Sequence, residues 1–104
     1  MVTVRLDAHS VSCEGHSGYA ESGADIVCAA VTSAIRLVAP LLDDTLGLSP
    51  AIEVDERRAL IRISSAREEA LPVFRAFAAL MREYQAEYPE FVRVLESGRP
   101  TNRT

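Results

Sequence analysis

Apolar and polar residues alternate from the start of the chain. Val2, Val4 and Leu6 stand against Thr3 and Arg5, and after Asp7-Ala8-His9-Ser10 the alternation resumes with Val11 and Cys13 against Ser12 and Glu14. A period of two marks a strand with one buried face, so the two runs predict a β-hairpin. On strict alternation His16 shares the face of Ser12 and Glu14, opposite Cys13, unless a bulge at Gly15 re-aims it. The segment from Ser17 to Gly23 contains Gly18 and Gly23 and shows no period, which is the pattern of a loop.

The period then lengthens. From Ala24 or Asp25 to about Ala39 the sequence reads as a helix that Pro40 should end or kink. Most of this helix is apolar around its circumference, which calls for cover on more than one side, by a sheet and by a second subunit. Its polar positions Asp25, Cys28, Thr32 and Arg36 follow at intervals of three and four and so lie along one stripe. After a loop through Asp43 to Gly47, Ala51 to Val54 and Ala59 to Ile63 form a second hairpin that turns through Asp55-Glu56-Arg57-Arg58. Between about Arg67 and Glu87, Leu71, Phe74, Phe77, Met81, Tyr84 and Tyr88 recur as one helical stripe, with Pro72 in its first turn. Tyr88-Pro89 breaks it, and Phe91 to Leu95 returns as a last strand.

The resulting order, β-β-α-β-β-α-β, predicts an α+β two-layer sandwich: a mostly antiparallel sheet with two helices on one face. Residues 1–96 form one domain and Ser97 to Thr104 a polar tail. With 104 residues and 48% hydrophobic content, the chain can bury one core without staples. A net charge of -4 and no Lys/Arg stripe weigh against direct nucleic-acid binding. Met1 to Asp7 do not read as a signal peptide, and the longest uninterrupted apolar run, Ile26 to Val31, is far short of the ~20 residues of a membrane span. A cytoplasmic protein with no membrane partner is expected. In a reducing compartment Cys13 and Cys28 are separate thiols rather than a disulfide.

A cysteine nucleophile acts as thiolate and needs a base within hydrogen-bond reach. Cys28 falls in the first turn of its predicted helix, where unpaired N–H groups and the helix dipole favour an anion and can line an oxyanion hole. His16, twelve positions earlier, is the candidate base, brought back by the glycine-containing loop. Asp25 either orients His16 or caps the helix in a capping-box spacing with Ser22, and Thr32 can bond substrate backbone or its own helix carbonyl. Other readings use the same residues. Cys28 also suits an inert core thiol, as Cys13 does. His9, Cys13, His16 and Cys28 in the order H-x3-C-x2-H-x11-C offer four zinc ligand types, although the last would sit inside a helix.

Gly15-His16, then Gly23-x-Asp25-Ile26-Val27-Cys28-Ala29-Ala30, resembles the ribosomal-processing cysteine protease family called Prp. The resemblance covers nearly the whole element order. It implies a cytoplasmic homodimer that removes an N-terminal extension from large-subunit ribosomal protein twenty-seven, with no metal or organic cofactor. It also implies Cys28 as nucleophile, His16 as base, Asp25 in support, and a loop from Ser17 to Gly23 that covers the site until substrate orders it. Ser17 replaces a common Ala and Thr32 a common Ser, and neither change removes a catalytic group. Against this stand a non-catalytic peptide-binding protein of ribosome assembly and a small zinc-binding module.

Overall fold

In the computed structural model the described residues are 1–15 and 22–97, and of 22–25 only the backbone is described. The strands are β1 (Val2–Leu6), β2 (Ser10–Glu14), β3 (Ala51–Asp55), β4 (Leu60–Ser64) and β5 (Val92–Glu96); the helices are α1 (Ser22–Pro40) and α2 (Leu71–Glu87). They follow the expected order and give the expected α+β architecture. The sheet runs β3-β4-β2-β1-β5, antiparallel at every pairing except β1 with β5, which is parallel. The exception follows from connectivity: α2 carries the chain from β4 back over the sheet, so β5 enters beside β1 in the same direction.

The strand registers turn the sequence alternation into rows that cross the sheet. One row is Val94, Val4, Cys13, Ile61 and Val54; the next is Leu6, Val11, Ile63 and Ile52. Both lie on the face that packs against the helices. From α1, Val27, Val31, Ile35 and Val38 are buried against it, with Leu42 of the turn that follows, and from α2, Phe74, Phe77, Ala78 and Met81. Burying a side chain of this size stabilises the fold by about 1.5–3 kcal/mol, so these rows supply much of its cohesion.

Both ends of α1 differ from the expectation. It begins at Ser22, so Gly23 lies within the helix and not in the preceding loop. A glycine in a first turn costs only about 1 kcal/mol, which the packing of a 19-residue helix overrides. Pro40 closes the α-helical winding without ending the helical path, because Leu41–Thr45 continues as a π-helical turn. Ile26–Thr45 is consequently a 20-residue helical stretch, long and apolar enough to cross a membrane, contrary to the run-length argument. Thr32, Ser33 and Arg36 interrupt the run without breaking the helix. Its Val27-to-Leu42 row is part of the core.

A candidate active site at Cys28

The end of β2 is fixed by three neighbours. Gly15 has φ +96°, and a Cβ there would lie 2.8 Å from the Met1 carbonyl oxygen, so both conformation and space require glycine. Its N–H donates to the Arg58 carbonyl at 3.3 Å. Beside it, Glu14 accepts from Arg58 Nε at 2.8 Å and from Arg5 at 3.4 Å. The strand alternation therefore stops at Gly15. His16, Ser17 and Gly18 lie outside the described residues, as does the side chain of Asp25.

Cys28 is half-buried and opens onto a hollow of about 300 Å³. Thr32 lines it one turn along α1, as the polar stripe predicts, and Gly15 and Cys13 line it from β2. The remaining wall is the β3–β4 hairpin, through Val54, Asp55, Glu56 and Ile61 among others. No sequence signal singled out that hairpin, although the pairing of Val54 with Ile61 and of Ile61 with Cys13 places it on the row beneath the thiol.

One electrostatic expectation needs correction. Cys28 is the seventh residue of α1, beyond the first turn. Its own N–H is engaged in the helical ladder, and the dipole effect fades after the first turn, so neither an oxyanion hole nor dipole activation can be assigned to its backbone position. The two cysteines are distinct. Cys13 is 4% exposed, and burial pushes its thiol up to about 11, with nearby Cys28 adding to the effect. A thiol held in that form is inert near neutral pH.

The acidic pair on the rim is also differentiated. The Asp55 carboxylate accepts the backbone N–H groups of Arg57 at 3.0 Å and Arg58 at 3.3 Å and so serves the turn. Glu56 has no such side-chain partner among the described residues. His9 is exposed in the β1–β2 turn, its N–H donating to Asp7 Oδ1 at 2.8 Å. It stands at the opposite end of β2 from Cys13, roughly 13 Å along the strand, which separates two members of the four-residue metal reading. Among the described residues no three His, Cys, Asp or Glu groups converge to hold a metal ion.

This arrangement can place an extended peptide carbonyl at an accessible thiol, over an apolar floor. Comparisons with known proteins point the same way. The family model for cysteine protease Prp matches residues 1–93. The fold is similar to that of the essential ribosomal processing protease Prp from S. aureus in complex with a substrate peptide, with TM-score 0.83 at 22% identity over 93% of this chain and 100% of that one. The same protease with a covalently linked product peptide superposes with TM-score 0.76 at 24% identity, over 93% and 100%. SMU.848 from Streptococcus mutans gives 0.74 at 24% identity, over 92% of this chain and 96% of its own. No curated protein sequence matches.

Proposed function

Because the chain belongs to the cysteine protease Prp family, we propose that it hydrolyses a peptide bond with Cys28 as nucleophile and His16 as base. The observation that carries this reading is the accessible Cys28 at the mouth of a hollow that also receives Gly15, the residue directly before His16. In the proposed cycle His16 takes the Cys28 proton and the thiolate attacks the scissile carbonyl. The amine-side fragment then leaves with a proton from His16. The acyl fragment stays as a thioester until water, activated by the same imidazole, releases it. Asp25 orients His16, and Thr32 hydrogen-bonds the substrate backbone. No metal or organic cofactor enters this scheme.

The substrate we propose is the N-terminal extension of large-subunit ribosomal protein twenty-seven, cut in the cytoplasm during ribosome maturation. A structurally similar protein, solved in two peptide complexes, is described as a ribosomal processing protease, which supports the class. We further propose a homodimer. Ile26 and Leu37 on α1 are 68% and 65% exposed, and an apolar groove runs between Leu37 and Leu41 of this helical segment and Val73 and Leu80 of α2. A single sedimentation boundary at the 11.3 kDa monomer mass would remove that part.

The test of catalysis uses purified chain and a peptide spanning the extension junction, followed by mass. Wild type should release two fragments, and Cys28→Ala should lower the rate at least about a thousandfold. Equal cleavage by both would eliminate the nucleophile assignment. Retained binding and ribosome-assembly function without any cleavage by wild type would favour the non-catalytic reading.

A further inference from the structure

The outer face of the sheet, turned away from both helices, carries a row assembled from residues far apart in sequence. Arg5 of β1 stands beside Ser12 of β2, Ser12 beside Arg62 of β4, and Arg62 beside Glu53 of β3. No arginine stripe is visible along the chain, because only the strand registers bring Arg5 and Arg62 together. Both are exposed, as a face without a helix requires, yet Ser12 between them is only 8% exposed. A small residue on such a face is shielded by its long cross-strand neighbours, and here both neighbours are arginines.

The Ser12 hydroxyl has no hydrogen-bond partner among the described residues. The other two buried serines differ: Ser10 Oγ donates to Asp7 Oδ2 at 2.8 Å, and Ser65 Oγ accepts the Arg67 N–H at 3.1 Å. Leaving a buried hydroxyl without a partner is a net cost, so one that is kept calls for a partner from outside. The flanking cations are also loosely held. Glu14 takes Arg58 Nε at 2.8 Å but Arg5 only at 3.4 Å. Arg62, although opposite Glu53 in register, makes no ion pair among the described residues, and Asp7, which feels its charge, is bound to the His9 N–H and the Ser10 hydroxyl. The Cα atoms of Arg5 and Arg62 are two strand spacings apart, about 10 Å, and an arginine side chain spans more than half of that. Both guanidinium groups can therefore close over the serine. An O–H donor between two planar N–H forks is the donor set of a tetrahedral oxyanion.

We propose that Ser12, Arg5 and Arg62 form a phosphate-binding site on the outer face of the sheet: the Ser12 hydroxyl donates to one oxygen and the two guanidinium groups hold the others. The proposal is independent of the peptidase reading, since this site and Cys28 lie on opposite sides of the sheet. A free phosphate ion and the phosphodiester of a nucleic-acid strand present the same chemistry. Arg93 separates them. It is exposed on this face beside Thr3, about 12 Å from Ser12, where a strand reaches it and a single ion seated on Ser12 does not.

Two probes test the site on the full chain at constant ionic strength: inorganic phosphate, followed by the amide NMR shifts of Arg5, Ser12 and Arg62, and a fluorescein-labelled single-stranded RNA decamer, followed by anisotropy. Phosphate should give saturable shifts centred on Ser12. Arg62→Gln should weaken its binding about tenfold, and Ser12→Ala and Arg62→Lys about threefold each. In phosphate-free buffer Ser12→Ala should be at least as stable as wild type, and it should lose the rise in Tm that phosphate gives wild type. Cys28→Ala should bind phosphate as wild type does. Arg93→Gln should leave the inorganic ion unaffected and weaken the RNA about threefold where the ligand is a strand. Saturation by phosphate without RNA binding would assign the site to the free ion. Failure of both probes to saturate, or binding that survives both Arg62→Gln and Ser12→Ala, would overturn the proposal.

Discussion

The two edges of the sheet carry similar strands in opposite circumstances. On β5, Val92 is 1% exposed, and the strand's outward N–H groups are answered: Val92 donates to the Tyr88 carbonyl at 3.1 Å and Val94 to Gln85 Oε1 at 2.6 Å. Arg82 of α2 adds two bonds to Glu96 at 2.9 and 2.8 Å. On β3 no backbone or side-chain hydrogen bond from outside the β3–β4 pair reaches Ala51 to Val54 among the described residues, and Ala51 to Val54 are all exposed. Alternating Val92 and Val94 are matched by alternating Ile52 and Val54, so composition does not explain the difference. Connectivity does. The chain leaves α2 through one tight turn into β5 and stays packed on it, whereas it leaves α1 through the π-helical turn and never passes back over β3. Open edges invite unwanted pairing and are normally blunted.

The same substitution at the two edges is the strongest way to break this contrast. Val92→Ala should cost about 2 kcal/mol in urea unfolding, from lost burial plus a cavity, while Val54→Ala should change stability by less than about 0.5 kcal/mol. Equal costs would mean that β3 is covered in solution. Next in size, Gln85→Leu removes the acceptor from the Val94 N–H and should cost about 1 kcal/mol, raising amide exchange at Val94 about fivefold and making β5 resemble β3. The smallest effect comes from acid. The hydrogen bond from Arg58, with the Arg58 and Arg5 charges, holds the Glu14 carboxyl below its usual range. Its contribution is complete above the ordinary glutamate value and is lost as pH falls through the lower folded value. Wild type should therefore exceed Glu14→Gln slightly at pH 7 in protection of the Gly15 amide, with the difference closing in acid.

The periods of two and between three and four were enough to place all five strands and both helices, because each buried face leaves its repeat in the chain. The β3 edge was illegible for the same reason. Ile52-Glu53-Val54 alternates just as Ile61-Arg62-Ile63 does, and only the path of α1 decides that Ile63 is fully buried and Ile52 is not. Gly23 misled the helix start, since its mild local cost is outweighed by packing, and the shift moved Cys28 out of the first turn. Thr32 on the stripe of Cys28 could be read from helical spacing and lines the hollow with it. The approach of Cys13 to the same hollow could not, because it depends on the strand register and on how α1 crosses β2.

The close approach of Gly15 to the Met1 carbonyl has a practical consequence for handling the protein. The Met1 carbonyl abuts Gly15, which lines the Cys28 hollow, and Val2 forms part of its wall. A purification handle fused ahead of Met1 would emerge at the mouth and compete for it like a tethered inhibitor. The last described residue lies elsewhere: the Ser97 N–H donates to the Leu6 carbonyl at the far end of β1, opposite Met1.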